Sequence, residues 1–235
     1  MTRYVSLVVI AVLGAWAPAA ESQAPTAAPA AYAHTIYLVR HGSCDDDPKA
    51  DPALGPSLNT LGIAQARLIA ARLRGMPFHF DSMTSSTMTR ARETATIIHD
   101  SLGEVMFGGS ARFSECMPPA IRKFPDEKPE EQAACAQRLD EAFAAVFVPK
   151  RTATRNDLIV AHGNVIRYFV MKALKADTRL WPAMSVAHAS LTVIRVKGDG
   201  TMSVLAIGDV GHIPPNLQSW GGDADPRLAT PAPRP

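Results

Sequence analysis

The sequence is poor in cysteine and has almost no net charge. It contains 3 Cys in 235 residues, and 24 Lys and Arg stand against 22 Asp and Glu. This balance gives no general attraction to nucleic acid or to an acidic membrane surface, so any binding of anions must depend on local placement. The Cys and His spacing matches no zinc site, and we expect neither a metal nor another cofactor.

The number of cysteines is odd: the chain has Cys44, Cys116 and Cys135. In an oxidising compartment, at least one thiol is therefore left without an intramolecular partner. A bond between Cys116 and Cys135 is compatible with the sequence but does not follow from it. Cys44 comes shortly after His41 and is more simply an incidental thiol than a nucleophile, because the sequence places no base beside it.

The amino-terminal apolar segment is too short to cross a membrane. Apart from Ser6, residues 4–16 are apolar, whereas a spanning helix needs roughly 20 such residues. Arg3 precedes this segment and small residues follow it at 17–20, which is the order found in secretory leaders. We therefore expect residues 1–20 to be a signal peptide, cleaved after Ala19, on a periplasmic or secreted protein without stable membrane insertion. An uncleaved anchor is the alternative.

Composition places one folded domain between two segments that are unsuited to packing. Residues 21–33 are rich in Ala and Pro and are predicted to be a linker, and residues 221–235, rich in Gly, Asp and Pro, are predicted to be a disordered tail. A chain of 235 residues with 47% hydrophobic content can form one larger domain, which we place at residues 34–220.

Within this domain, predicted strands alternate with predicted helices. The helices are expected at Thr60–Leu73, Thr89–Leu102, Pro129–Phe147 and Val165–Leu174, and the strands at Thr35–Val39, Asp81–Ser85, Val105–Phe107, Asp157–Ala161, Leu191–Val196 and Thr201–Ile207. The last two strands flank Lys197-Gly198-Asp199-Gly200, which is typical of a hairpin. The predicted fold class is α/β: a three-layer α/β/α sandwich with a mostly parallel sheet and an antiparallel edge.

Two histidines each follow a predicted strand and each precede a glycine. His41 lies in Arg40-His41-Gly42, and His162 lies in His162-Gly163-Asn164. Because ligand-binding groups gather beyond the carboxyl ends of the strands in an open α/β sheet, the two loops can meet over one pocket. One imidazole could then attack a phosphorus atom while the other, as a cation, helps to hold its charge.

A second arginine lies where the next predicted strand gives way to a helix. Arg90 would sit near the helix start, where backbone N–H groups and the helix dipole favour an anion. Together with Arg40 and His162 it could surround one phosphoryl group, because a guanidinium donates paired hydrogen bonds to phosphate oxygens. The alternative, a solvated helix residue, suits Arg92 better, since Arg92 lies on another face.

Four segments in order resemble the histidine phosphatase superfamily, also called the phosphoglycerate mutase-like group. The resemblance covers nearly all of residues 34–220 and is carried by Leu38–Gly42, Leu58–Ala66, Ser85–Ala95 and Val160–Arg167. Within the superfamily, Asn164–Val170 and Gly208–Pro215 are most similar to the branch of mitochondrial serine/threonine protein phosphatases. The resemblance implies the phosphoglycerate mutase-like fold.

The resemblance also implies roles for individual residues. His41 would be the nucleophile that becomes phosphorylated, with Arg40, Arg90, His162 and Gly163 binding the transferred group. Glu115, in Phe113-Ser114-Glu115-Cys116, would protonate the leaving oxygen and later deprotonate water. That double role needs a carboxyl group whose pKa is raised toward neutrality.

Departures from the family pattern bear on the substrate. Cofactor-dependent mutases have Glu-Ser after Arg-His-Gly, whereas this chain has Ser43–Pro48 with three aspartates, which argues against mutase activity. His188 stands where relatives often have asparagine, and a core or loop histidine is favoured over a substrate contact. Arg122 and Lys123 lie in a variable loop that is equally well interpreted as a substrate-selecting lid or as ordinary surface.

We therefore expect a metal-independent phosphomonoester hydrolase that acts through a phosphohistidine. Its partner would be a phosphorylated substrate: phosphoserine or phosphothreonine in proteins first, with small sugar or nucleotide phosphates as the alternative. A non-catalytic phosphate-binding module is the alternative from another class, although a binder would not need a nucleophile and a proton donor. The sequence predicts no particular oligomeric state.

Overall fold

The computed structural model describes residues 32–124, 128–150 and 152–221. The predicted leader, residues 1–20, most of the linker and nearly all of the predicted tail lie outside the described residues. The strands are β1 (Ala33–Arg40), β2 (Ser82–Ser85), β3 (Phe107–Gly109), β4 (Arg155–Ala161), β5 (Leu191–Lys197) and β6 (Met202–Asp209). The α-helices are α1 (Thr60–Arg74), α2 (Thr89–Leu102), α3 (Pro129–Val146) and α4 (Gly163–Ala173), and short 3₁₀ helices cover Ala111–Phe113, Thr178–Ala183 and Pro215–Leu217.

The strands form one mixed sheet in the order β3-β2-β4-β1-β5-β6. Strands β3, β2, β4 and β1 pair in parallel, and β5 pairs antiparallel with both β1 and β6. The predicted sheet, mostly parallel with an antiparallel edge, is confirmed. In the described part of the chain, no helix is both long enough and apolar enough to span a membrane.

Alternation along the central strands builds a core on each face of the sheet. In β1, Ile36 and Leu38 pack into a cluster with α3 and α4, whereas Tyr37 and Val39 pack into a second cluster with α1 and α2. Successive side chains of a strand point to opposite faces, so a buried strand must be apolar on both. The predicted three-layer sandwich is thereby confirmed.

Local capping explains why the predicted helix bounds lie close to the observed ones. The side chain of Asn59 caps α1 by accepting a hydrogen bond of 2.8 Å from the backbone N–H of Gly62. Helix α2 ends at Gly103, whose φ of +82° is a conformation that favours glycine. Helix α3 begins at Pro129, where the missing N–H costs no helical hydrogen bond.

The third strand lies two residues further along the chain than predicted. The sequence favours Val105–Phe107, but the structure pairs Phe107–Gly109 with β2 in the register Met83 to Phe107. Val105 instead packs against the core between the sheet and α1 and α2. The tertiary partner decides which residues extend, because a short strand has little preference of its own.

Candidate active site

The ends of two neighbouring parallel strands bring the two predicted histidines together. Arg40, the last residue of β1, is in register with Ala161, the last residue of β4. The backbone N–H of His41 donates to the carbonyl of Ala161 at 3.0 Å, and the rings of His41 and His162 have centroids 5.0 Å apart. Both rings are buried, with 3% and 0% of each residue exposed. The two loops therefore meet over one site.

Hydrogen bonds define which nitrogen of His41 carries the proton. Nδ1 lies 2.7 Å from the carbonyl of Gly42, which can only accept, so Nδ1 is protonated. Arg90 Nε donates to Nε2 of His41 at 3.1 Å, so Nε2 has a lone pair. Burial first, and then the nearby His162, Arg40 and Arg90, lower the pKa of His41 well below its ordinary value. The ring is neutral at physiological pH, with its lone pair on Nε2.

Close packing of backbone explains the glycine after His41. A Cβ on Gly42 would overlap the carbonyl of Gly62 in the first turn of α1, and a Cβ on Gly62 would overlap the carbonyl of Ser43. The buried Gln65, one turn further along α1, accepts a hydrogen bond of 2.9 Å from the N–H of Ser43. Helix α1 therefore supports the loop that carries His41.

Arg40 is largely enclosed, and its guanidinium is oriented by two acceptors. Nη1 donates to the carbonyl of Val186 at 2.7 Å, and Nη2 donates to Nε2 of His188 at 2.9 Å. Its Nε is buried and has no hydrogen-bond partner among the described residues. Burial lowers the pKa of Arg40 to about 10, although Glu115 acts in the opposite direction. The guanidinium thus remains charged at neutral pH.

The two arginines of the α2 start take different places. Arg90 lies in the first turn and its side chain contacts His41, as described above. Arg92 is exposed to solvent. The expectation that Arg90 faces the site and Arg92 faces solvent agrees with this placement, which follows from their positions on different faces of the helix.

His162 enters the site as a neutral ring beside Ser86. Its Nε2 lies 2.8 Å from the buried hydroxyl of Ser86, which also accepts from the N–H of Met88. Nδ1 is buried without a hydrogen-bond partner in the described part of the chain. Burial first, then Arg90 and Arg40, lower the pKa of His162 well below its ordinary value. Enclosure beside two guanidinium groups favours the neutral ring in this structure, and the expected cationic role of His162 toward a bound phosphate stays a prediction.

Gly163 begins α4 beside Arg40. A Cβ at this position would lie 3.5 Å from Nε of Arg40, which is ordinary contact. Glycine here therefore leaves space next to the guanidinium, although the position would accept a small side chain.

Glu115 lies in the same charged surroundings as the arginines. Burial raises the pKa of Glu115, while the charges of Arg40, Arg90 and Arg167 oppose that effect in this order. The net direction is upward, so the neutral carboxyl is favoured relative to an exposed glutamate. A raised pKa beside cationic groups is what a proton donor to a leaving oxygen requires.

Sequence reasoning missed the part that His188 takes in the site. Its Nε2 accepts from Arg40, so Nδ1 carries the proton and donates to Ser219 Oγ at 2.9 Å. Its ring lies 5.5 Å from that of His41, and burial first, then Arg40, lowers the pKa of His188 to about 3. The contact depends on the tertiary pairing of β5 with β1: the two strands run antiparallel, so residues just before β5 lie beside the end of β1.

The structure also bears on the cysteines, the predicted lid and the expected absence of a metal. The structure joins Cys116 and Cys135 in a disulfide and leaves Cys44 free, and burial raises the pKa of the Cys44 thiol. Arg122 lies over the ring of Phe124, 5.2 Å from its centroid, and the lid function of this loop stays a prediction. Among the described residues, no group of three or more His, Cys, Asp or Glu side chains is arranged to hold a metal ion.

Curated relatives share most of the described chain. A serine/threonine-protein phosphatase, Pgam5, mitochondrial, from Caenorhabditis elegans is 38% identical over 194 residues, which cover 79% of this chain and 66% of the relative. The protein of the same description from Xenopus tropicalis is 32% identical over 187 residues, covering 77% and 66% respectively. This chain thus spans just under two thirds of the length of these relatives.

These relatives correct the expected location. The prediction of an exported, periplasmic or secreted protein is wrong, because the relatives are mitochondrial proteins and so point to a mitochondrial location. A short apolar segment after a single arginine is too general a pattern to identify a compartment. The predicted signal peptide itself, residues 1–20, lies outside the described residues.

Solved structures share the fold. A putative alpha-ribazole-5'-P phosphatase from Escherichia coli matches with a TM-score of 0.62 at 17% identity, covering 75% of this chain and 96% of that one. A phosphoglycerate mutase from Plasmodium falciparum matches with a TM-score of 0.56 at 22% identity, covering 78% and 95%. The predicted phosphoglycerate mutase-like fold is confirmed.

A family model matches almost the whole described domain. It is the model of the histidine phosphatase superfamily (branch 1), and it aligns with residues 36–117 and 119–209. These ranges contain both strand ends that carry the clustered histidines, and they agree with the resemblance of the sequence segments. The chain therefore belongs to branch 1 of the histidine phosphatase superfamily.

Proposed function

We propose that this protein hydrolyses phosphate monoesters through a phosphohistidine formed on Nε2 of His41. The observation that carries the proposal is the state of this ring: it is neutral, its Nδ1 proton is held by the carbonyl of Gly42, and its Nε2 lone pair faces Arg90. An imidazole in this state can attack phosphorus without first losing a proton. Family membership and phosphatase-named relatives support the same class of reaction.

The phosphoryl group would be held by charge and by unsatisfied donors. Arg40 and Arg90 supply positive charge beside His41, and the buried Nε of Arg40 and Nδ1 of His162 have no partner among the described residues. A buried N–H group without a partner is costly, so an oxygen of a bound phosphate would satisfy the Nε–H of Arg40, and also Nδ1 of His162 in the tautomer that carries the proton there. Gly163 leaves space for the group beside Arg40.

In the first step, Nε2 of His41 forms a bond to phosphorus as the ester P–O bond breaks. The leaving oxygen takes a proton from the carboxyl of Glu115, whose pKa is raised by burial. The products are a phosphohistidine, the free alcohol and a Glu115 carboxylate. Fixed positive groups lower the barrier, because phosphoryl transfer depends mainly on positioning and on stabilising charge.

In the second step, water replaces the imidazole. The Glu115 carboxylate takes a proton from the water as its oxygen bonds to phosphorus, and the bond between phosphorus and Nε2 breaks. Inorganic phosphate leaves, and both His41 and Glu115 return to their starting states. One carboxyl group thus acts first as an acid and then as a base.

The substrate we propose is phosphoserine or phosphothreonine in proteins. The support is the name of the relatives, which are serine/threonine-protein phosphatases at 32–38% identity. The small-molecule phosphatase described above, the Escherichia coli protein, is a solved structure at 17% identity, which supports the fold alone. We therefore place phosphoproteins before sugar or nucleotide phosphates.

The test is to trap the phosphoenzyme on the purified full-length chain. Incubation with a ³²P-labelled phosphopeptide, followed by rapid denaturation, should leave label that is stable to alkali and lost in acid. His41→Ala should abolish both the label and phosphate release, whereas His79→Ala, an exposed histidine outside the site, should retain both. Label that persists in His41→Ala would refute the mechanism, and faster turnover of sugar or nucleotide phosphates would refute the substrate.

A further inference from the structure

Three connections from the helices converge on the segment Ser114-Glu115-Cys116. From α3, Arg138 Nη2 donates to the carbonyl of Ser114 at 2.8 Å. From α4, Asn164 Nδ2 donates to the carbonyl of Cys116 at 2.9 Å. The third connection is covalent: the disulfide joins Cys116 to Cys135 of α3. The residue between these anchors is the proposed proton donor.

The other contacts of Glu115 do not fix it to a helix of the core. Its carboxylate Oε1 accepts from the N–H of the adjacent Cys116, a bond that moves with the segment itself. Its own N–H points to the sulfur of Met88, a weak acceptor at 3.3 Å. The position of the carboxyl group relative to His41 therefore depends on the anchors at Ser114 and Cys116.

We infer that the Cys116–Cys135 disulfide positions the proton donor Glu115, so that its reduction selectively slows the hydrolysis of esters with poor leaving groups. This inference rests on the proposed function, because it needs Glu115 to act as the acid. Among the anchors, the disulfide is the one that a redox reaction can open. The protein would thus lose activity on phosphoserine in a reducing environment while keeping its nucleophile.

The redox step requires a dithiol as the reductant. One thiolate of the dithiol attacks Sγ of Cys116, which is the more exposed of the two cysteines since Cys135 is only 4% exposed. The protein S–S bond breaks, and the second thiol of the reductant closes its own disulfide. Two electrons and two protons pass to the protein, which then carries two thiols.

Two substrates with different leaving groups distinguish a misplaced Glu115 from damage to the rest of the site. The oxygen of phosphoserine leaves as an alkoxide and needs a proton in the transition state, whereas 4-nitrophenolate leaves as a stable anion. Loss of a well-placed acid therefore slows the alkyl ester much more than the aryl ester. Damage to His41 or to the arginines would slow both substrates, because both need the nucleophile and the charge.

The experiment compares the two substrates on oxidised and dithiothreitol-reduced protein. All forms carry Cys44→Ser, so that the free thiol cannot respond, and thiol titration counts the opened bonds. On reduction, kcat/KM for a phosphoserine peptide should fall about tenfold, while that for 4-nitrophenyl phosphate stays within about twofold. Reoxidation should restore kcat/KM for the phosphoserine peptide. In Cys135→Ser, made in the same background, kcat/KM for the phosphoserine peptide should be low relative to that for 4-nitrophenyl phosphate, both with and without reductant.

Other results would overturn the inference. An unchanged ratio of the two rates in the reduced protein and in Cys135→Ser would show that the disulfide does not position Glu115. An equal loss on both substrates would assign it a purely structural role. If Cys135→Ser does not fold, the comparison of the oxidised, reduced and reoxidised protein tests the inference by itself. Absence of aryl phosphate turnover in the oxidised protein would instead refute the proposed function.

Discussion

Replacement of His188 by alanine removes one of the two acceptors that orient the guanidinium of Arg40. The Nη2 to Nε2 hydrogen bond is 2.9 Å long and partly buried, and the ring is held in turn by Ser219. Because burial lowers the pKa of His188 to about 3, the ring stays neutral and accepts this bond at any pH near neutrality. We therefore expect His188 to be a positioning residue that acts through Arg40.

The expected loss of activity in His188→Ala follows from the positive charge on the donor, Arg40. A hydrogen bond to a charged group contributes about 1.5–3 kcal/mol, and each 1.4 kcal/mol corresponds to about tenfold in rate. Arg40 keeps its second bond, to the carbonyl of Val186, so we expect the lower end of this range. In His188→Ala, kcat/KM for an aryl phosphate should fall about tenfold.

The assay is steady-state hydrolysis of 4-nitrophenyl phosphate near pH 7, with the melting temperature of each variant measured in parallel. His188→Asn should recover most of the loss, because the amide oxygen can accept from Arg40. His79→Ala controls for the removal of an exposed histidine elsewhere. A folded His188→Ala protein with wild-type kcat/KM would refute the assigned role.

Further predictions concern stability. Gly62→Ala, where a Cβ would overlap the carbonyl of Ser43, should lower the free energy of unfolding by about 1–3 kcal/mol in urea titrations, whereas Gly75→Ala, with a nearest contact of 3.5 Å, should change it by less than about 0.5 kcal/mol. Equal effects would contradict the packing argument. Burial alone would raise the pKa of Asp157, but hydrogen bonds from three side chains lower it to about 2. Its stabilisation, about 2 kcal/mol, is complete above about pH 4 and is lost as the pH falls toward 2. The stability difference between wild type and Asp157→Asn should therefore shrink over that range in urea titrations, and a constant difference would contradict this assignment.

Helix bounds and fold class were predictable because their signals are local. The cap at Asn59, the glycine at 103 and the proline at 129 each act on the backbone within a few residues. The runs that are apolar on both faces of β1 and β4 indicate buried parallel strands by themselves. The bounds of the third strand were not predictable from such local signals, because its register depends on pairing with β2.

The sequence predicted which residues form the site better than it predicted where their protons lie. The motifs identify His41, Arg40 and Arg90, and the strand ends bring them together. The position of the protons was not predictable, because it depends on partners such as Ser86, which lies 76 residues from His162 in the chain. The same holds for His188, whose bond to Arg40 spans 148 residues.

The sequence by itself determined the layered α/β architecture and the superfamily, because periodicity, caps and motifs are properties of short segments. Only the tertiary structure decided that Nε2 of His41 carries the lone pair, that His162 is neutral, and that Cys116, next to Glu115, is bonded to Cys135. Protonation and positioning depend on burial and on hydrogen-bond partners from distant segments, and these exist only once the chain has folded.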